Sequence, residues 1–219
     1  WDTNKPLGEI EQVEHTYAVI GNMNEHQLTV VESTWGGRPE LVDTTGIIDY
    51  GSLMQLALER AKTAREAIKV MTGLVKKYGY YSSGESFTIA DPNEAWILDL
   101  IGKGPGRRGA VWVAVRIPDD CIAGHANYPR IHKIPMDDKE NCLCSPDVIS
   151  FAREMGYFDG LNKDFSFARA YSPADFGALR ACDARVWSFF RKYDSSMDNY
   201  LPYVNGESAE PFPLYVKPS

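Results

Sequence analysis

Ala110-Val111-Trp112-Val113-Ala114-Val115 is apolar at every position. Successive side chains of a strand point to opposite faces, so a strand of this composition is covered on both. A strand with one wet face would alternate apolar and polar residues instead. The stretch therefore predicts a sheet with a layer on each side, within a mixed α+β architecture. Upstream, Ser86–Ala90 and Ala95–Leu100 read as two more strands around Asp91-Pro92-Asn93-Glu94. Asp in the first place and Pro in the second suit a type I turn. Downstream, Cys121–Asn127 reads as a further short strand.

Farther out, 52–78 is the clearest helical region. Thr63-x-x-Glu66 is a capping box, Ala67, Met71, Leu74, Val75 and Tyr78 recur at helical spacing, and Gly79 stands where a helix ends. Leu53, Met54, Leu56 and Ala57 mark a shorter helix before it, ending near Lys62. His15–Gly21 and Gln27–Thr34 are rich in Val, Ile, Thr and Tyr and predict a hairpin across Asn22–His26, with Gly36-Gly37-Arg38-Pro39 breaking the pattern. Beyond Cys144 the chain reads as mostly helical, with Pro146–Met155 capped by Ser145 and a later helix over Ala178–Tyr193. Residues 206–219 are Pro-rich. No repeat or linker divides the chain, so residues 1–219 are expected to form a single domain.

The composition, 44% hydrophobic and 24% charged, supports a sizeable core and excludes a disordered or fibrous chain. The net charge of −7, with no basic stripe, argues against a nucleic-acid partner. Cys121, Cys142, Cys144 and Cys182 read as free, buried or half-buried thiols. Cys142-Leu143-Cys144 is too tight for a C-x-x-C site, and no second pair completes a zinc site. No apolar run reaches membrane-spanning length. No secretory signal is visible either, although Trp1 lies in what reads as a strand-flanking segment, so the compartment stays open.

Gly104-x-Gly106-x-x-Gly109 has the letters of a dinucleotide-binding fingerprint, but it contains Pro105 and leads into a strand. The mechanism requires it to open a helix, so a hairpin loop is expected and no cofactor. His125 and His132 have no supporting carboxylate at ligand spacing, and no metal is expected. No Gly-x-Ser-x-Gly elbow occurs.

Six segments run nearly from end to end of the chain: Gly21–His26, Thr44–Gly51, Arg60–Ala67, Gly84–Trp96, Gly124–Asn127 and Asp183–Phe190. In that order they resemble bacterial dipeptidases with an N-terminal cysteine nucleophile, relatives of the secernins and, more distantly, of bile salt hydrolases and penicillin V acylases. The resemblance implies a four-layer αββα sandwich of the N-terminal-nucleophile hydrolase type. It implies hydrolysis of dipeptides or short peptides, with a cysteine at the mature N-terminus as nucleophile and its α-amine as base. An acylase of non-peptide amides and a non-catalytic, secernin-like interaction protein remain open beside it. The first residue here is Trp1 and no internal cysteine matches the nucleophile, so the expectation is a nucleophile upstream of this chain and a fold incomplete at both ends. An extracytoplasmic location is in keeping with the resemblance, and homo-oligomerisation is open.

By position Asn127 resembles the asparagine that donates to the oxyanion in the related acylases. The residue alone also reads as a strand-end turn before Tyr128-Pro129. Arg185 resembles a late active-site arginine that orients the nucleophile or holds a substrate carboxylate, while its spacing from Arg180 and Arg191 reads as an exposed helix face. Glu32, with Ser33 and Thr34 beside it, ends a strand where relatives place a polar site residue. His125 is a substrate-binding candidate or a buried, hydrogen-bonded histidine. Glu32 or Glu85 would meet a substrate ammonium, and Arg185 or Arg130 a substrate carboxylate, through charge-assisted hydrogen bonds.

Overall fold

The apolar run at Val113 lies inside the sheet. The computed structural model describes residues 6–218; Trp1, expected to be strand-flanking, falls outside them. In chain order the elements are β1 (Val19–Ile20), β2 (Met23–Asn24), β3 (Thr29–Trp35), α1 (Tyr50–Arg60), α2 (Ala64–Tyr78), β4 (Gly84–Ala90), β5 (Ala95–Gly102), β6 (Ala110–Ile117), β7 (Ile122–Ala123) and β8 (Cys142–Cys144). There follow α3 (Ser150–Glu154), α4 (Phe167–Tyr171), α5 (Ala184–Phe190), α6 (Leu201–Val204) and β9 (Tyr215–Val216). Seven strands form one antiparallel sheet in the order β1-β2-β3-β4-β5-β6-β8, and β7 pairs with β9 in a separate ribbon.

Both faces of β6 are covered. Ala110 and Ala114 pack toward α1 and α2 with Leu58, Met71 and Phe87, while Val111 and Val113 pack on the other side with Phe151, Phe167 and Tyr171. A third cluster, built on Trp187, Phe190, Tyr203 and Phe212, joins α5, α6 and the segment before β9. Close packing leaves no room for a side chain at Gly84, which would run into the Trp35 ring, whose Nε1 donates to Ser86 Oγ at 3.1 Å. No helix among the described residues is long and apolar enough to cross a membrane.

Local chemistry explains most boundaries. Asp49 caps α1 by accepting from Ser52 N at 2.6 Å, and Thr63 Oγ1 caps α2 by accepting from Glu66 N at 3.2 Å. The return bond of the box goes one residue earlier than its usual form, Lys62 N donating to Glu66 Oε2 at 2.8 Å. In the β4–β5 turn, Asp91 Oδ1 accepts from Asn93 N and Glu94 N, while its Oδ2 accepts from Ala64 N and ties the hairpin to the start of α2.

Four expectations are corrected. The expected strand His15–Gly21 is reduced to Val19–Ile20. Tyr17 N donates to Glu59 O of α1 instead, and Asn24 organises the turn into β3. Its side chain accepts from His26 N and Leu28 N and donates to Leu58 O and Ala61 O at the end of α1. Cys121–Asn127 is a strand only at Ile122–Ala123, because residues 125 and 127 bond to β3 through side chains. Ser145 does not cap a helix: its Oγ accepts from Trp112 N at 3.3 Å, and α3 starts only at Ser150. The later helix is a π-helical turn over Ala178–Asp183 running into α5, which ends at Phe190.

Candidate active site

Paired residues of neighbouring strands share a face, so the β3–β4 register sorts the polar side chains. Thr34↔Glu85 and Glu32↔Phe87 lie with Val30↔Ile89 on the face covered by α1 and α2. Ser33↔Ser86 and Val31↔Thr88 lie on the opposite face. β2 meets β3 at Met23↔Thr29, and among the described residues no strand pairs with the edge of β3 from Val31 onward. Asn127 bonds to Ser33 and Thr34 of this strand.

His125 spans the two strands. Its Nδ1 is 2.6 Å from Ser33 Oγ and its Nε2 is 2.9 Å from Thr88 Oγ1. Burial, and then the positive charge of Arg130, push its pKa down to about 4, so the ring is neutral at neutral pH. Two residues later Asn127 takes a left-handed conformation, φ 56°, which Asn tolerates better than most residues. Its N–H donates to Ser33 Oγ at 3.2 Å and its Nδ2 to Thr34 O at 2.6 Å. Arg185, from α5, donates through Nη2 to Asn127 Oδ1 at 2.8 Å and to Ala126 O at 3.0 Å, and through Nε to Ala181 O at 2.7 Å. Asn127 and Arg185 are both solvent-exposed, and one Nδ2 hydrogen of Asn127 has no partner among the described residues.

On the opposite face Thr34 Oγ1 donates to Glu85 Oε1 at 2.7 Å and lies 3.4 Å from Glu32 Oε2. Glu85 is fully buried, and burial raises its pKa to about 9 against the lowering effect of the Thr34 hydroxyl. It therefore holds a proton at neutral pH, and the nearby Glu32 carboxylate reinforces the shift.

Arg130 is placed differently. Its guanidinium is buried, bonded through Nη1 to Asp183 Oδ1 at 2.9 Å and through Nη2 to Phe212 O and Pro213 O at 3.2 and 3.0 Å, and stacked 3.8 Å above the Phe212 ring. Asp183 also accepts from Tyr203 at 2.8 Å. The backbone N–H groups of Arg130 and Ile131 both donate to the buried Asp99, which takes a third bond from Ser86 at 2.6 Å. These charges anchor the segment that carries Asn127.

The structure thus brings Asn127, Arg185 and His125 together, sets Glu32 and Glu85 on the far face of the same strands, and commits Arg130 to an internal ion pair. Sequence reasoning does not single out Thr88, Asp99 or Asp183; Thr88 lies 37 positions from its histidine partner, and no local spacing marks such a pair. Among the described residues no group of three or more His, Cys, Asp or Glu could hold a metal ion.

A large antiparallel sheet with helices packed on it, and a polar site at the open edge of one strand, place the molecule among mixed α/β proteins. More narrowly, the chain belongs to peptidase family C69, whose model matches residues 1–219. It is 28% identical over 198 residues to a probable dipeptidase of Salmonella dublin, an alignment covering 87% of this chain and 42% of that protein. It is 35% identical over 100 residues to a probable dipeptidase of Latilactobacillus sakei, covering 46% of this chain and 20% of that protein. A probable dipeptidase B of Streptococcus pyogenes serotype M1 is 28% identical over 122 residues, covering 56% and 23%. The chain thus spans less than half the length of these relatives.

Proposed function

We propose that this chain supplies the transition-state side of a dipeptidase site, with Asn127 as oxyanion donor and Arg185 as its orienting partner. The observation that carries the reading is the pose of the Asn127 amide. One Nδ2 hydrogen is fixed on Thr34 O and Oδ1 on Arg185, leaving the second Nδ2 hydrogen aimed from a fixed, exposed amide. A donor held in place before reaction needs no reorganisation when charge develops on the carbonyl oxygen. Membership of family C69 and relatives named as probable dipeptidases support a peptide-bond substrate.

The nucleophile in this reading is a cysteine encoded upstream of Trp1. Three of the internal thiols point away from the role: burial pushes Cys121 and Cys144 up and Cys142 up to about 12, opposite to an activated thiolate. Cys182 sits in the π-helical turn, one position before Asp183, which is bonded to Arg130. The sheet is one of the two sheets of a four-layer αββα sandwich, and residues 1–219 belong to one domain. In support, α1 and α2 cover one face while Ser33, Thr88 and His125 lie on the other. Of the two acidic candidates, Glu85 is buried and protonated and Glu32 lies with it on the face opposite His125, so the substrate ammonium is assigned to neither. Arg185 retains Nη1 for a substrate carboxylate, whereas the Arg130 side chain is enclosed.

The test is dipeptide hydrolysis by the protein expressed from its complete gene. Asn127→Ala is expected to lower kcat by about 10²–10³-fold, the usual loss for one oxyanion donor. A wild-type protein that leaves dipeptides intact would overturn the reading.

A further inference from the structure

We propose that His125 is a positioning residue for this reaction, holding Asn127 in its donor pose through the Ser33 hydroxyl. The inference rests on Asn127 being the oxyanion donor and adds what keeps it there. Asn127 adopts φ 56°, a region that residues other than Gly, Asn and Asp seldom occupy, so its pose depends on its contacts. One of them is its backbone N–H, which can only donate, into Ser33 Oγ at 3.2 Å. The place of that hydroxyl is set in turn by the 2.6 Å contact to His125 Nδ1.

The ring's two contacts, 2.6 Å from Nδ1 to Ser33 Oγ and 2.9 Å from Nε2 to Thr88 Oγ1, fit one chain of bonds. A neutral imidazole accepts at one nitrogen and donates at the other, and in the Nε2–H tautomer Ser33 donates to Nδ1 while Nε2 donates to Thr88 Oγ1. Ser33 then accepts from Asn127 and donates to His125, while the other end of the ring is tied to the neighbouring strand. The run is Asn127 N–H to Ser33 to His125 to Thr88, with both hydroxyls on one sheet face. Neither ring nitrogen is left for substrate, so His125 acts through Asn127. The imidazole stays neutral across the ordinary working range, which keeps one ring nitrogen an acceptor.

The test uses the protein from its complete gene, with Asn127→Ala, His125→Phe, His125→Gln, Ser33→Ala and the double variant His125→Phe/Ser33→Ala. Thermal midpoints are recorded for each, and kcat and KM are measured on a dipeptide. His125→Phe and Ser33→Ala are each expected to lower kcat about 10- to 100-fold with KM unchanged, the scale of loss when a reacting group is displaced by about 1 Å. The double variant is expected to be no slower than the slower single one, since both break one linkage. His125→Gln, which offers one donor and one acceptor, is expected to recover part of the loss. A folded His125→Phe with undiminished kcat overturns the proposal, as does a rise in KM alone, which would make His125 a substrate contact. Should His125→Phe fail to fold, an undiminished kcat in Ser33→Ala overturns it equally. Asn127→Ala separates the two levels: crippled beside a full-rate His125→Phe, it removes only this proposal, and at full rate itself it removes the oxyanion reading as well.

Discussion

The two faces of the β3–β4 pair carry polar clusters of opposite chemistry within three residues of each other. On one, His125 joins Ser33 to Thr88; on the other, Thr34 joins Glu85 to the neighbourhood of Glu32. Burial moves the histidine down to about 4 and the glutamate up to about 9. The signs are opposite and the result is the same, a neutral group at neutral pH, because desolvation penalises whichever form is charged. The comparison teaches that a buried group without a counter-charge goes neutral on either face of this strand pair, whereas the buried Arg130 nearby is paired with Asp183.

The comparison can be broken by titration. Glu85 has a folded pKa above its ordinary 4.5, so the folded state holds an extra proton between about 4.5 and 9. Its contribution is complete below that window and is lost as pH rises through it, at up to ~1.4 kcal/mol per pH unit. Glu85→Gln is expected to flatten this decline in urea unfolding from pH 5 to 9 and to exceed the wild type in stability at pH 8. An unchanged slope would mean that Glu85 is already ionised. This is the largest expected effect, since its window is the widest.

His125 gives the opposite and narrower slope. Its folded pKa lies below 6.5, so the unfolded state binds the extra proton between about 6.5 and 4, and stability falls as pH drops through that window. His125→Phe is expected to start from a lower stability at pH 7, through two lost hydrogen bonds, yet to lose less on acidification to pH 4. A parallel decline in both proteins would place the acid sensitivity elsewhere. Smallest is Thr34→Val, which removes the hydroxyl from Glu85 and is expected to cost about 1–2 kcal/mol in the urea midpoint at pH 7.

The sheet is largely legible in the sequence because its signals are local. Ala110–Val115, the Asp91–Glu94 turn and the α2 cap each declare themselves within a few residues, and the structure builds β4, β5, β6 and α2 on them. Cys121–Asn127 misleads for the opposite reason. Its apolar start resembles a strand, but its course is decided by bonds to Ser33 and Thr34, 94 and 93 positions away. Asn24 is similar: nothing in Asn22-Met23-Asn24 announces that its amide will close the end of α1 at 34 and 37 positions' distance. Asn127 and Arg185 come to attention through resemblance, and their contact at 2.8 Å is not readable from spacing across 58 positions. Arg130 shows a further limit, since one letter cannot tell a substrate-facing guanidinium from one enclosed with Asp183.

The enclosure of Arg130 also sets a timetable. Its guanidinium is completed by the carbonyls of Phe212 and Pro213, 82 and 83 positions downstream, and β7 is completed by β9. A ribosome adding ~5–20 residues per second needs roughly 4–16 s to bridge that interval. During synthesis, then, the strands and helices that precede Arg130 can assemble, with Asp99 already holding its backbone N–H, before the guanidinium receives its last two carbonyls.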